Sequence, residues 1–195
     1  MSAQRTVQLT DPRALRALAH PIRLELISLL RQGGPLTATQ AGERIGESPA
    51  SCSFHLRQLA KYGLVEEAGG GHGRERPWRA TAISTEWAAR ASDDETDAAG
   101  AMLSRVVIER YFESVLEWLD RRPSEKPEWV DAASISDALV YMTAEELREV
   151  DQGFRALLEP YLKRLEAREP PAKGSRPVSV IALAFPLPEE PQGDG

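Results

Sequence analysis

Residues 48–81 read SPASCSFHLRQLAKYGLVEEAGGGHGRERPWRAT, and the order of elements in this stretch carries the fold. Ser48-Pro49 is a cap followed by a first-turn proline. Serine can accept a bond from a free amide, and proline there gives up only an N–H that has no intrahelical partner. The helix so opened runs to Tyr62, and Gly63 supplies a left-handed stop. Cys52, Leu56 and Leu59 follow the i, i+4, i+7 rule and share one face. The opposite face carries Ala50, Phe54, Arg57 and Lys61, with Ser53 and Gln58 beside them. Two strand-like runs follow, Leu64–Glu67 and Trp78–Thr81, around AGGGHGRERP. That pattern predicts a hairpin with a long tip rich in glycine and arginine.

Upstream, Asp11-Pro12 caps and opens a short helix with Leu15 and Leu18 on one side. It stops at His20, because a proline disfavours a helical residue before it. Pro21 opens a second helix whose Ile22, Leu26 and Leu29–Leu30 share a face, and Gly33-Gly34-Pro35 ends it. A third helix is predicted from Thr37 to Ile45, with Ala41 and Ile45 inward and Gly46 as its stop.

Downstream, residues 83–97 read as a polar connector. A long helix is expected from Ala98 to Arg121. Its apolar residues leave only a narrow polar stripe, Arg105, Glu109, Glu113 and Glu117, so it needs cover on more than one side. RRPSEKP at 121–127 is a break. SISDALVYM at 134–142 reads as a strand. Thr143 and Glu146 form a capping box for a helix with Leu147, Val150, Phe154, Leu157, Tyr161 and Leu165 at helical spacing. Pro160 should bend or break that helix. PVSVIALAF at 177–185 reads as a second strand, and residues 188–195 as a tail with too little apolar content to fold alone. The expected fold class is mainly α: a winged helix-turn-helix domain at 10–82, then a long helix and a small strand-helix-strand unit at 98–187, which makes that second part α+β.

Composition bounds the function. The chain has 195 residues, 42% of them hydrophobic, and a net charge of −6. Residues 1–82 hold 11 Lys+Arg against 7 Asp+Glu, and residues 83–195 hold 13 against 23. A basic first part joined to an acidic second part suggests that only the first meets a polyanion. No apolar run approaches the roughly 18 residues of a membrane helix, and the N-terminus shows no signal-peptide pattern. A cytoplasmic protein without a membrane partner is expected. The single Cys52 excludes an intramolecular disulfide framework.

Three helices, then a capped helix with one polar face, then a Gly/Arg hairpin, is the order of a winged helix-turn-helix. A helix fits the major groove of double-stranded DNA, and its first turns bring short polar side chains to base edges. The hairpin can lay arginines along the neighbouring backbone. The candidate DNA-binding residues are Ser48, Ser51, Ser53, Phe54, His55, Arg57 and Lys61 on the helix, and His72, Arg74, Arg76 and Arg79 on the hairpin. DPRALRALAHPIRLELISLL with LTATQAGERIGESPASCSFHLRQLAKYGLVEE resembles the ArsR family of bacterial transcriptional repressors over residues 10–82. The resemblance implies a homodimer whose recognition helix is 48–62. The part after residue 97 resembles the C-terminal extension of an ArsR-like subgroup from high-GC bacteria. The apolar long helix is the expected dimer contact, through Leu103, Val107, Tyr111, Val115, Leu116 and Trp118.

The family's metal sensors use paired cysteines on the helix matching 37–45, or carboxylates and histidines after the wing. TATQAGERI has no cysteine, and the last histidine is His72. No metal and no cofactor are therefore expected. Cys52 reads as a small core residue, His20 as a structural hydrogen bonder, and His55 as packing or a phosphate contact. Trp118, Trp129, Tyr111, Tyr141, Phe154 and Tyr161 are core or the lining of a pocket for a small organic ligand. No phosphate loop, dinucleotide fingerprint or nucleophile–base pair stands out, so no enzyme is expected. Two alternatives stay open: a winged-helix interaction module that does not bind DNA, and a hydrolase housed in the acidic part.

Overall fold

The computed structural model describes residues 4–71, 75–167 and 169–188. Its elements run β1 (Gln4–Leu9), α1 (Pro12–Leu18), α2 (Pro21–Gly33), α3 (Ala38–Ile45), α4 (Pro49–Lys61), β2 (Val65–Glu67), β3 (Trp78–Ala80), β4 (Ala82–Trp87), α5 (Asp94–Arg121), α6 (Pro127–Ala132) and α7 (Ala144–Glu166). The fold is mostly helical with small sheets, in the winged helix-turn-helix arrangement that the sequence predicts.

The caps act as read. The Asp11 carboxylate accepts from the Arg13 amide at 2.8 Å, and Ser48 Oγ accepts from the Ser51 amide at 3.1 Å. Thr37 and Gln40 close a full capping box on α3. Gly63 sits at φ +69°, where a side chain would be strained. Gly42 has a different role. A Cβ there would lie 2.4 Å from the Glu47 carbonyl oxygen, so only glycine lets the α3–α4 turn close with its Glu47-to-Gly42 backbone bond at 3.0 Å.

The core is a single cluster. Leu15 and Leu18 of α1, Leu26, Ile27 and Leu30 of α2, and Cys52, Leu56 and Leu59 of α4 meet Leu64, Val65 and Trp78 from the hairpin. Cys52 is the core residue expected, and burial pushes its thiol pKa up, which makes it a poor nucleophile. β2 pairs antiparallel with β3, Val65 opposite Ala80 and Glu67 opposite Trp78. Leu36 adds a bridge to Trp78 through two backbone bonds of 3.0 and 2.8 Å.

Several elements depart from expectation. Residues 83–97 are no plain connector: β4 occupies Ala82–Trp87 and pairs in parallel with β1, Thr6 opposite Ser84. Thr6 and Ser84 join hydroxyls at 2.7 Å. Arg31 ties α2 to this ribbon, donating to the Ala82 carbonyl at 3.0 Å and Thr85 Oγ1 at 2.6 Å, and burial lowers its pKa to about 10. The long helix begins at Asp94 rather than Ala98, capped by Asp93. Asp94, Glu95 and Asp97 belong to its first turn, where negative charge suits the helix dipole. Pro160 does not end α7, which runs on to Glu166.

The strands expected at 134–142 and 177–185 do not form. Both segments are irregular chain without a ladder partner among the described residues, so the expected α+β unit consists of α5, α6 and α7 with two bare arms. Strand propensity is realised only where a second edge supplies hydrogen bonds.

α5 is about 42 Å long at 1.5 Å per residue, and its two halves differ. Ala99, Leu103 and Val107 are buried and join the core cluster, and this half packs on α1. Beyond Val107 the apolar side chains Ile108, Tyr111, Phe112 and Leu116 are exposed. Two of the expected dimer contacts, Leu103 and Val107, are thus occupied inside their own chain. Helical periodicity cannot distinguish cover by one's own chain from cover by another.

Candidate nucleic-acid interface

α4 presents its outer face beside the hairpin. Ser48, Phe54, Arg57 and Lys61 are exposed, and Ser51 and Ser53 half-exposed. The Arg57 guanidinium donates to Ser53 Oγ at 3.2 Å, one turn back, and the Lys61 ammonium lies 5.6 Å from the Tyr62 ring centroid. The Ser48 hydroxyl accepts the cap bond, and its own O–H stays free to donate.

The hairpin faces α4 across a groove of about 420 Å³ lined by Thr37, Thr39, Ser53, Arg57, Glu67, Glu75, Arg76 and Trp78, among others. This groove gathers Arg57 and Arg76, which lie nineteen positions apart in sequence. Arg76 is paired with Glu67 at 2.9 Å and Arg79 with Glu66 at 2.7 Å. The Arg76 pair is open to water and contributes little to stability, and Arg79 is half-buried in its pair. The two pairs hold the guanidinium groups along the hairpin instead of leaving them to wander. His72 and Arg74 fall outside the described residues. Thr37 and Thr39 were missed in the sequence reading; the capping box at Thr37 was the signal that fixed a hydroxyl-bearing helix start beside α4.

His55 leaves the candidate set. It is 8% exposed, and its ring centroid lies 4.6 Å from that of His20. α4 turns this position toward the α1–α2 junction, away from the exposed face of the helix. The Nδ1 atoms of both histidines and Nε of Arg23 are buried without a hydrogen-bond partner, so the bond expected at His20 is not made through that nitrogen. Burial holds the His20 pKa below its usual 6.5, aided by Arg23. Burial does the same to His55, aided by His20 and Arg23, and Glu47 opposes the shift at both.

Folding therefore favours the neutral form of both rings. Below about pH 6.5 the unfolded chain binds more protons than the folded one, and stability falls with pH. The thermal midpoint is expected to drop between pH 7 and pH 5.5, and less steeply in His55→Leu. Equal slopes for the two proteins would show that this pair does not set the dependence.

None of the aromatic residues expected at a ligand pocket lines the groove beside α4 or the cleft at Arg155. Tyr111, Tyr141 and Tyr161 are exposed, and Trp129 is stacked under Arg176 at 4.3 Å. A second cleft of about 380 Å³ lies elsewhere, between the β1–β4 ribbon and Arg155 of α7. No group of three or more His, Cys, Asp or Glu side chains suited to a metal occurs among the described residues. No described helix is long and apolar enough to cross a membrane.

Comparison with known proteins places the helix-turn-helix in this region. Residues 18–68 match the helix-turn-helix domain family, which spans α2 through β2. No curated protein matches the chain. Among solved structures, reduced HlyU from Vibrio cholerae N16961 is 22% identical, covering 48% of this chain and 84% of its own, at a TM-score of 0.31. The transcriptional repressor BigR from Xylella fastidiosa is 20% identical over 49% of this chain and 82% of its own, at 0.31. A structure described as a possible transcriptional regulator for arsenical resistance is 25% identical over 58% of this chain and 96% of its own, at 0.32.

Proposed function

We propose that this chain is a dimeric, sequence-specific DNA-binding regulator of transcription, a repressor of the ArsR type that works without a metal-sensing site. The observation that carries the reading is the shared groove. Ser53 and Arg57 on the polar face of α4 and Arg76 of the hairpin line one cleft beside a helix-turn-helix match. A recognition helix in the major groove places Ser51, Phe54 and Arg57 toward base edges, and Arg76 and Arg79 then reach backbone phosphates. The basic balance of residues 1–82 supplies the long-range attraction. Operators for such domains are two-fold, so two copies are needed to fill both half-sites. The second half of α5, with Tyr111 and Leu116 exposed and Val115 and Trp118 half-exposed, is the contact proposed between them. Repression follows from occupancy of a promoter in competition with polymerase.

The test is a gel shift on the DNA upstream of the protein's own gene, with salt varied. Affinity is expected to fall steeply with salt as phosphate contacts release counterions. Arg57→Ala should cost about 1–3 kcal/mol and relax specificity at one position. Zinc and chelators should leave the shift unchanged, because α3 has no cysteine and no histidine follows His72. Wild-type binding by Arg57→Ala removes that residue from base reading. No shift even at low salt favours the interaction-module alternative.

A further inference from the structure

The two bare arms are the largest apolar segments that the fold leaves uncovered. Residues 134–142 and 177–187 make no backbone–backbone hydrogen bond to any other described segment. Their large side chains are open: Leu139 is 79% exposed, Tyr141 fully, and Phe185 69%. Yet both are held at their roots. The first lies between α6 and the Thr143–Glu146 capping box of α7. The second starts at Arg176, whose guanidinium makes two bonds to the Glu125 carboxylate at 2.6 and 3.0 Å and lies over the Trp129 ring. Anchored roots with a bare apolar length between them are a poor state for a single chain, because unpaired backbone and exposed leucine and tyrosine both favour cover.

The area involved is large. The chain's accessible surface is 14,429 Å², against about 9,200 Å² for a globular chain of this mass. The surplus exceeds the roughly 1,000–2,500 Å² per chain that a stable obligate dimer buries. Among the described residues, every exposed large apolar side chain except Phe54 falls between Met102 and Leu187. The arms are also nearly free of charge. Asp137 is the one ionisable acid or base between Ala133 and Met142 besides the Tyr141 phenol, and there is none between Pro177 and Leu187. A second copy, though equally acidic over its C-terminal part, would meet them without like-charge repulsion.

We propose that the two arms of one copy are seated on a second copy of this chain, covering its arms and the exposed apolar faces of α5 and α7 in a two-fold exchange. This inference rests on the dimeric reading above and deepens it. The strand character of both segments is then realised between chains. Leu183, Phe185 and Leu187, alternating at the period that puts side chains on one face of an extended chain, become the buried stripe. A two-fold contact uses each arm and each helix face twice.

The test uses the full chain, with Leu139→Asp/Tyr141→Asp for the first arm and Leu183→Asp/Phe185→Asp for the second. None of these side chains is buried in the single chain, so each variant should keep the wild-type circular dichroism. In sedimentation velocity, each is expected to raise the dimer dissociation constant by at least about 100-fold. Hydrogen exchange on the wild-type protein supplies the second readout. Amides of 134–142 and 177–187 should be protected at concentrations where the dimer forms and exchange freely on dilution. A wild-type protein that is monomeric at micromolar concentration overturns the dimeric reading and this inference together. A wild-type dimer that the arm variants leave equally tight, or whose arm amides exchange at free-peptide rates, overturns the seating of the arms alone.

Discussion

Leu103→Ala is expected to unfold more readily than the wild-type protein by about 2–5 kcal/mol, the range for removing a fully buried leucine. Leu103 is completely enclosed, in the same cluster as Leu15, Leu18 and Leu26. α5 packs along α1 here, so the cavity opens between the long helix and the helix-turn-helix domain, where rigid neighbours on both sides limit collapse. A domain of this kind has about 5–15 kcal/mol of stability in all, so the variant sits close to unfolding at physiological temperature. Urea melts followed by far-ultraviolet circular dichroism read the effect directly. A midpoint equal to the wild-type value would mean that α5 does not belong to the core. Operator binding should weaken only in proportion to the unfolded fraction, because Leu103 touches nothing at the proposed interface.

Leu116→Glu, thirteen residues further along the same helix, should behave in the opposite way. Leu116 is 60% exposed, so a glutamate there costs the single folded chain little. In the proposed dimer it would bury a charge without a partner, at a cost of several kcal/mol. The expected outcome is a folded monomer with near-wild-type circular dichroism and a dimer dissociation constant raised at least about 100-fold. DNA affinity should collapse with it, although the residue lies far from the basic face, because one half-site alone binds weakly. Sedimentation of the variant beside Leu103→Ala separates the two halves of α5: one loses fold, the other loses partner. A Leu116→Glu protein that stays a tight dimer would move the contact off α5 and onto α7 and the arms.

What could be read from the chain itself is the local part. Ser48-Pro49 and Gly63 bound α4, Cys52, Leu56 and Leu59 mark its inner face, and the Gly/Arg run marks the hairpin. Each signal comes from neighbours within a turn or two, where capping, φ preference and periodicity act. The outer face of α4 is legible for the same reason, since it is what the inner face leaves over. Tertiary structure decided the rest. The pairing of β1 with β4 joins residues 78 positions apart, and neither six-residue strand announces a partner. His55 sits on α4 between its inner and outer faces, and only the approach of the α1–α2 junction, with His20, turned it inward. Arg57 and Arg76 share a groove only because the hairpin folds back beside α4. The α5 helix shows the limit most plainly. Its apolar pattern states that cover is needed, while the packing of α1 settles that Leu103 finds it within the chain and Leu116 does not, because burial is a property of what lies opposite and not of the residue itself.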